Sequence, residues 1–201
     1  MKKFERLPPE QRKLEIQDAA LDIFCHKGFS AATMENIVAA VSLSKGGVYR
    51  LDPRTAAILS DLMLRGMHLR NDFYRERTEK LLQSGEPLTM EFLVGIIVES
   101  LLKYEKFSLL YAEFLMEKRR NPELSRLYEQ IYDQSLRDTL SLIRDCGAEG
   151  LLLKKPDLLK KLTHVMDSVT LSVSVLGLRE ELLQSPGCIP ALLNEILKSN
   201  E

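Results

Sequence analysis

Residues Thr33 to Leu51 read TMENIVAAVSLSKGGVYRL. Thr33 suits the N-cap of a short helix over MENIVAAV, because its hydroxyl can accept from an otherwise unpaired backbone N–H. Ser42 and Leu43 make a tight turn, and Ser44 then caps a second short helix, KGGVYRL. Two adjacent glycines inside that helix cost it about 1 kcal/mol each relative to alanine, and a helix this short does not persist alone. Short paired helices across a tight turn describe a helix-turn-helix, whose second helix enters the DNA major groove with its first residues against the base edges. Gly46 and Gly47 then have a use: no side chain holds the helix backbone away from the duplex. A Gly-weakened surface helix in an ordinary bundle is the competing reading of the same spacing.

A first helix precedes this pair. Pro8 and Pro9 mark its start. Ile16, Ala19, Ala20, Ile23 and Phe24 form one apolar stripe at helical spacing, and Gly28 suits the stop. Downstream, Asp52 reads as the N-cap and Pro53 as the first residue of a long helix reaching about Leu82, with Ser84, Gly85 and Pro87 breaking it. LTMEFLVGIIVESLLKYEK, FSLLYAEFLMEKRR, a long amphipathic helix from Pro122 closed by Gly147, a helix from Pro156 through Leu178, and GCIPALLNEILK follow. No convincing strand is present; VTLSVSVL continues a helical pattern. The expected fold is all-α: a three-helix head over residues 1–54 and a helical body over residues 55–201.

The 201 residues carry a net charge of −1, with 45% hydrophobic and 28% charged residues, ordinary for a globular protein. Residues 1–54 hold nine Lys and Arg against seven Asp and Glu, and the remainder nineteen against twenty-two, so a weakly basic head sits on an acidic body. No run of 18 apolar residues suggests a membrane span, and MKKFERLPPEQRK lacks the apolar core of a secretory signal. Three well-separated cysteines, Cys25, Cys146 and Cys188, argue for a reducing cytoplasm. His26, His68 and His164 share no ligand spacing with them, so no metal and no cofactor are expected. No nucleophile–base motif or P-loop is readable, and an enzyme is not expected.

The stretch ALDIFCHKGFSAATMENIVAAVSLSKGGVYRL resembles the N-terminal domain of the TetR family of bacterial transcriptional regulators. The family pattern is an Ala–aliphatic–Phe run, Gly-Phe, Thr-Met/Val-acidic-x-Ile-Ala and Ser-x-Gly-x-aliphatic-Tyr. Ala20, Phe24, Gly28, Phe29, Thr33, Met34, Glu35, Ile37, Ser44, Gly46, Val48 and Tyr49 match it, over residues 12–52. The resemblance implies that Thr33 holds a phosphate and that Ser44, Lys45, Gly46 and Gly47 lie at the groove floor. It makes Lys45 the base reader, Tyr49 a phosphate contact and Arg50 either. Three positions depart. Ser42 stands where the family has Gly, a modest strain if it is left-handed. Asp52 stands in place of an aromatic residue, and Thr55 replaces a Lys that adjacent Arg54 can stand in for.

In the body, Leu158, Leu162, Val165, Val169, Leu176 and Leu178 are more apolar surface than one helix of a small bundle hides. A partner subunit covering the excess gives a homodimer through the last two long helices, in agreement with the family's four-helix interface. Ser100, Tyr104, Tyr111, Phe114, Tyr128, Tyr132, His164 and Ser168 are the candidate lining of a mostly apolar cavity, with Glu113 and Asp167 also set among apolar neighbours. Met63, Met67, Met90, Met116 and Met166 suit such a pocket or an ordinary core.

The resemblance implies a repressor released from a palindromic double-stranded DNA operator by a small apolar effector, with no role for a membrane. The alternative is a dimeric module of the same fold that binds DNA weakly and works through a ligand or protein partner, a reading that Asp52 and the near-neutral head favour.

Overall fold

The computed structural model describes residues 8–145, 147, 156–185, 187–189 and 191; the side chains of residues 156–159 fall outside that description. Every regular element among the described residues is helical. The elements are α1 (Pro9–Lys27), α2 (Met34–Ala40), α3 (Lys45–Leu51), α4 (Thr55–Ser84), α5 (Met90–Lys103), α6 (Glu105–Glu117), α7 (Pro122–Asp145), α8 (Pro156–Val175) and α9 (Arg179–Gln184). None is long and apolar enough to cross a membrane.

The head forms as its pattern requires. Ile16, Ala20 and Phe24 of the α1 stripe are fully buried, against Ile37 of α2 and Val48 of α3. Gly28 ends α1 at φ +76°, a conformation that disfavours a side chain, and a Cβ there would lie 3.4 Å from Glu113 Oε2 of α6. The Thr33 cap is reciprocal: its hydroxyl accepts from Asn36 N at 3.3 Å, and the Asn36 side chain accepts from Thr33 N at 3.3 Å.

The core does not stop at residue 54. Ile58, Leu59 and Leu62 of α4, Leu110 and Phe114 of α6, and Leu124 and Ile131 of α7 belong to the same cluster as the head residues. Polar contacts stitch the seam. Asp18 pairs with Arg65 at 2.7 Å and Lys13 with Asp61 at 2.6 Å. Asp22 pairs with Lys106, and the Ser30 hydroxyl donates to Glu117 Oε2 at 2.8 Å. The Cys25 thiol donates to the Lys106 carbonyl, and burial pushes it up to about 11.

Four expectations change. Asp52 does not start α4. It closes α3, its amide donating to Val48 O at 2.9 Å, and α4 begins at Thr55 after an N-cap Arg54 that makes no side-chain cap bond. The residue before a proline is pushed into extended backbone, so Asp52 ends one helix without opening the next. Ser42 carries no left-handed strain, since no described non-glycine residue has positive φ; its amide donates to Glu15 Oε1 at 2.6 Å. In α8, Leu162 is buried in a cluster with Val94, Val98 and Leu101 of α5 and Met166, and Val165 and Val169 pack against that cluster, so part of the apolar excess is hidden within the protomer. Helix α9 was not legible: REELLQ offers one buried residue, Leu182, for its six. The Leu158 side chain, Cys146 and most of GCIPALLNEILK lie outside the described residues.

Candidate nucleic-acid interface and ligand cavity

The exposed edge of the head is the N-terminal turn of α3. Ser44, Lys45, Gly46 and Arg50 are exposed, while Val48 anchors the helix from beneath. The Ser44 hydroxyl accepts from Gly47 N at 3.2 Å, which orders the turn. The two glycines differ. A Cβ on Gly46 would meet nothing within 4 Å, so that position faces open space where a duplex can approach. A Cβ on Gly47 would lie 3.3 Å from the Ser44 hydroxyl, so that position also protects the cap.

Glu35, in the first turn of α2, faces this edge. It accepts from the Tyr49 hydroxyl at 3.1 Å and lies 3.6 Å from the Lys45 ammonium, which sits 5.7 Å from the Tyr49 ring centroid. Its own backbone amide, and then the Tyr49 hydroxyl, hold its carboxyl below the usual range. Thr33 opens the same helix and is exposed. Arg54 instead pairs with Glu123 of α7 at 2.7 Å, and Thr55 is the first residue of α4. Asp52 is 2% exposed, with Oδ2 unpartnered, and burial raises its pKa. Its carboxylate is turned inward, which removes Asp52 as a ground for weak DNA binding and leaves the near-neutral charge of the head as the other.

A cavity of about 210 Å³ opens between α4, α5, α6, α7 and α8. Its wall is largely apolar, including Met63, Met67, Ile96, Ile97, Phe107 and Leu162. Five of the eight candidates meet there: Ser100, Tyr104, Tyr111, Tyr128 and Tyr132. Three do not. Phe114 is fully buried in the core shared with the head, and His164 and Ser168 are exposed on the far side of α8. The hydroxyls of Ser168, Thr170 and Ser172 donate back to carbonyls four residues earlier, which is how α8 carries them on a mostly apolar helix.

Asp167 is the polar centre of the wall. Tyr111 donates to its Oδ1 at 3.0 Å and Tyr128 to its Oδ2 at 3.3 Å. Burial raises its pKa, and the two tyrosine hydrogen bonds oppose that shift. Burial, followed by the Asp167 charge, pushes Tyr128 up to about 12 and raises Tyr111 further, so both phenols remain donors. Across the cavity, Tyr74 and Ser100 share a hydrogen bond of 3.1 Å. Sequence reasoning missed Arg70, although the signal was available: Met63, Met67, Arg70 and Tyr74 follow at helical spacing, one arginine on an apolar face.

Residues 16–51 match the family model for bacterial regulatory proteins of the tetR family. These residues are a TetR-family N-terminal domain. The TetR-type head therefore carries a DNA-binding helix-turn-helix, and the chain as a whole has the fold of TetR-family transcriptional regulators. It is similar to GusR of Salmonella enterica at 20% identity and TM-score 0.69, over 96% of this chain and 98% of that one. It is also similar to the fatty acid degradation regulator FadR of Bacillus halodurans (18%, 0.63, over 90% and 95%). A transcriptional regulator from Saccharomonospora viridis in complex with choline is a third likeness (17%, 0.57, over 87% and 95%). No curated protein matches the chain.

Proposed function

We propose that this TetR-type chain is a homodimeric transcriptional repressor released from a palindromic operator by a small, mainly apolar effector. Residues 1–54 bind DNA and residues 55–201 bind the effector and the second subunit, in the cytoplasm. One observation carries the reading: α6 belongs to both parts. Phe107, Ser108 and Tyr111 face the cavity. From the same helix, Leu110 and Phe114 pack in the core of the head, and Lys106, Glu113 and Glu117 meet Asp22, Gly28 and Ser30. A ligand that prefers one placement of α6 thereby prefers one placement of α1, and with it of α3. An effector shifts the protein only by its differential affinity for the DNA-bound and free states. The choline complex of the S. viridis regulator supports small-molecule binding by this fold.

Lys45 reads a base through its ammonium, Tyr49 and Thr33 hold phosphates, and Ser44, Gly46 and Gly47 allow the approach, with Arg50 beside them. Arg54 and Thr55 sit one helix start away, Arg54 giving up Glu123 if it turns to a phosphate.

The test is selection of bound fragments from random double-stranded DNA by the full chain, followed by titration of the enriched sequence. A palindrome with half-sites about one helical turn apart, roughly 34–36 Å, is expected. Recovery of no enriched sequence at low salt overturns the reading.

A further inference from the structure

Two ionisable side chains of opposite sign line the cavity, and only one is answered. Asp167 accepts from Tyr111 and Tyr128, and the Lys118 ammonium lies 3.0 Å from the centroid of the Tyr128 ring. Arg70 has no such partner. Among the described residues its one hydrogen bond runs from Nη2 to Ser135 Oγ at a long 3.4 Å, and its Nε is buried with no acceptor. Among the described residues no carboxylate forms an ion pair with it. On the same face of α7, three residues before Ser135, the Tyr132 hydroxyl is also buried without a partner. Arg70 of α4 and Tyr132 of α7 thus both line the cavity, each with a donor that meets no acceptor among the described residues. Buried donors are ordinarily satisfied. A cationic fork with one accessory hydroxyl is a receptor for a planar monoanion.

We propose that the cavity binds a small monocarboxylate with an apolar body, its carboxylate seated on Arg70 and the Tyr132 hydroxyl. This rests on the reading of the cavity as an effector site and adds the ligand's chemical class. A cation is disfavoured because Tyr111 and Tyr128 already occupy both Asp167 oxygens. A dianion is disfavoured because one guanidinium leaves half its charge unanswered in a poorly solvated site. Size sets the body. An engineered apolar cavity of roughly 150 Å³ holds benzene, so about 210 Å³ suits a ring with a short acid arm or an alkyl chain of roughly eight carbons.

The experiment uses the full chain and two matched probe series: octanoate, octan-1-ol and octylammonium, and phenylacetate, 2-phenylethanol and 2-phenylethylammonium. Affinity is read by calorimetry and by the shift in melting temperature. At least one carboxylate is expected to bind about ten- to hundredfold tighter than its alcohol, and neither ammonium to bind. Arg70→Met should bring that carboxylate down to the affinity of its alcohol, leave the alcohol unchanged, and raise the melting temperature of the ligand-free protein. Should Arg70→Met not fold, the wild-type series decides by itself. Alcohols binding as well as carboxylates would overturn the carboxylate assignment and leave the effector cavity standing. Preferred ammonium binding would move the anchor to Asp167 and also overturn it. Failure of all six probes would overturn both.

Discussion

The Tyr49 hydroxyl donates to Glu35 Oε1 at 3.1 Å, and the Lys45 ammonium stands 3.6 Å from the same oxygen. One carboxylate thus occupies the two α3 side chains best placed to meet DNA, at an edge where phosphates would arrive. Glu35→Gln should free both and remove a repulsive charge. We expect roughly two- to tenfold tighter binding to any duplex at about 50 mM salt, a gain that shrinks as salt rises. Unchanged affinity in fluorescence anisotropy at low salt would show that Glu35 turns away when DNA binds.

Lys45→Ala should cost about 1–3 kcal/mol on the selected operator and relax preference at one base pair, as loss of a base reader does. Tyr49→Phe removes only the hydroxyl and should weaken operator and random DNA alike, because phosphate contacts carry no sequence information. Equal losses on both DNAs for Lys45→Ala would make it a phosphate contact.

Gly66 of α4 lies against Phe107 of α6: a Cβ there would lie 2.8 Å from Phe107 Cδ1. Gly66→Ala should therefore destabilise the fold by about 1–3 kcal/mol, in keeping with overpacking of a well-filled contact. It should also alter effector affinity, since Phe107 lines the cavity. Urea denaturation checks the first effect and calorimetry the second.

Burial raises the pKa of Asp52 above its ordinary 3.8, the nearby Lys13 opposing and Asp61 adding to the shift. The unfolded chain therefore releases this proton at lower pH than the folded chain. The contribution of Asp52 to stability is most favourable below the unfolded value, falls as pH rises to the folded value, and stays low above it. Asp52→Asn should raise the melting temperature at pH 7 by roughly 2–4 °C, about 1 kcal/mol, with the advantage fading as pH falls toward the ordinary 3.8. Operator binding should be unchanged, because the carboxylate lies under α3. A neutral-pH melting temperature below wild type would mean that Oδ2 is satisfied in solution.

Val175, Leu176 and Leu183 are 48%, 69% and 46% exposed, the apolar surface left over where α8 ends and α9 runs. Leu176→Glu should split the proposed dimer and leave the protomer's melting curve intact, since the side chain packs little within one subunit. Val169→Glu is the poorer test, because Val169 packs on the α5–α8 core. Sedimentation velocity at micromolar concentration reads the result, and a monomeric wild type would exclude the dimer.

The head was legible in the sequence to within a residue at several ends, because caps are local: Thr33, Ser44 and Gly28 each act on groups within four residues. The start of α4 was misread by the same logic. A local rule makes Asp-Pro a helix opening, while burial turns Asp52 inward. The cavity was half legible. Four tyrosines and Ser100 between α5 and α7 were picked out as wall residues, but whether Phe114 or Tyr111 faces the space depends on how α6 divides its surface between α1 and α8, which no single-helix pattern states. Arg70 was visible on its stripe, yet its lack of a partner exists only once α7 is set against α4.

Helix α6 has 13 residues and two clients. A substitution on either of its faces changes the relative energy of the same rigid element, so its effect on operator occupancy need not wait for an effector. In a genetic screen for constitutive expression, and equally in one for inducer-blind repression, alleles should therefore crowd into residues 105–117 from both sides of the helix. Within that segment, sorting alleles into those that alter sensing and those that alter repression would separate two readouts of one displacement.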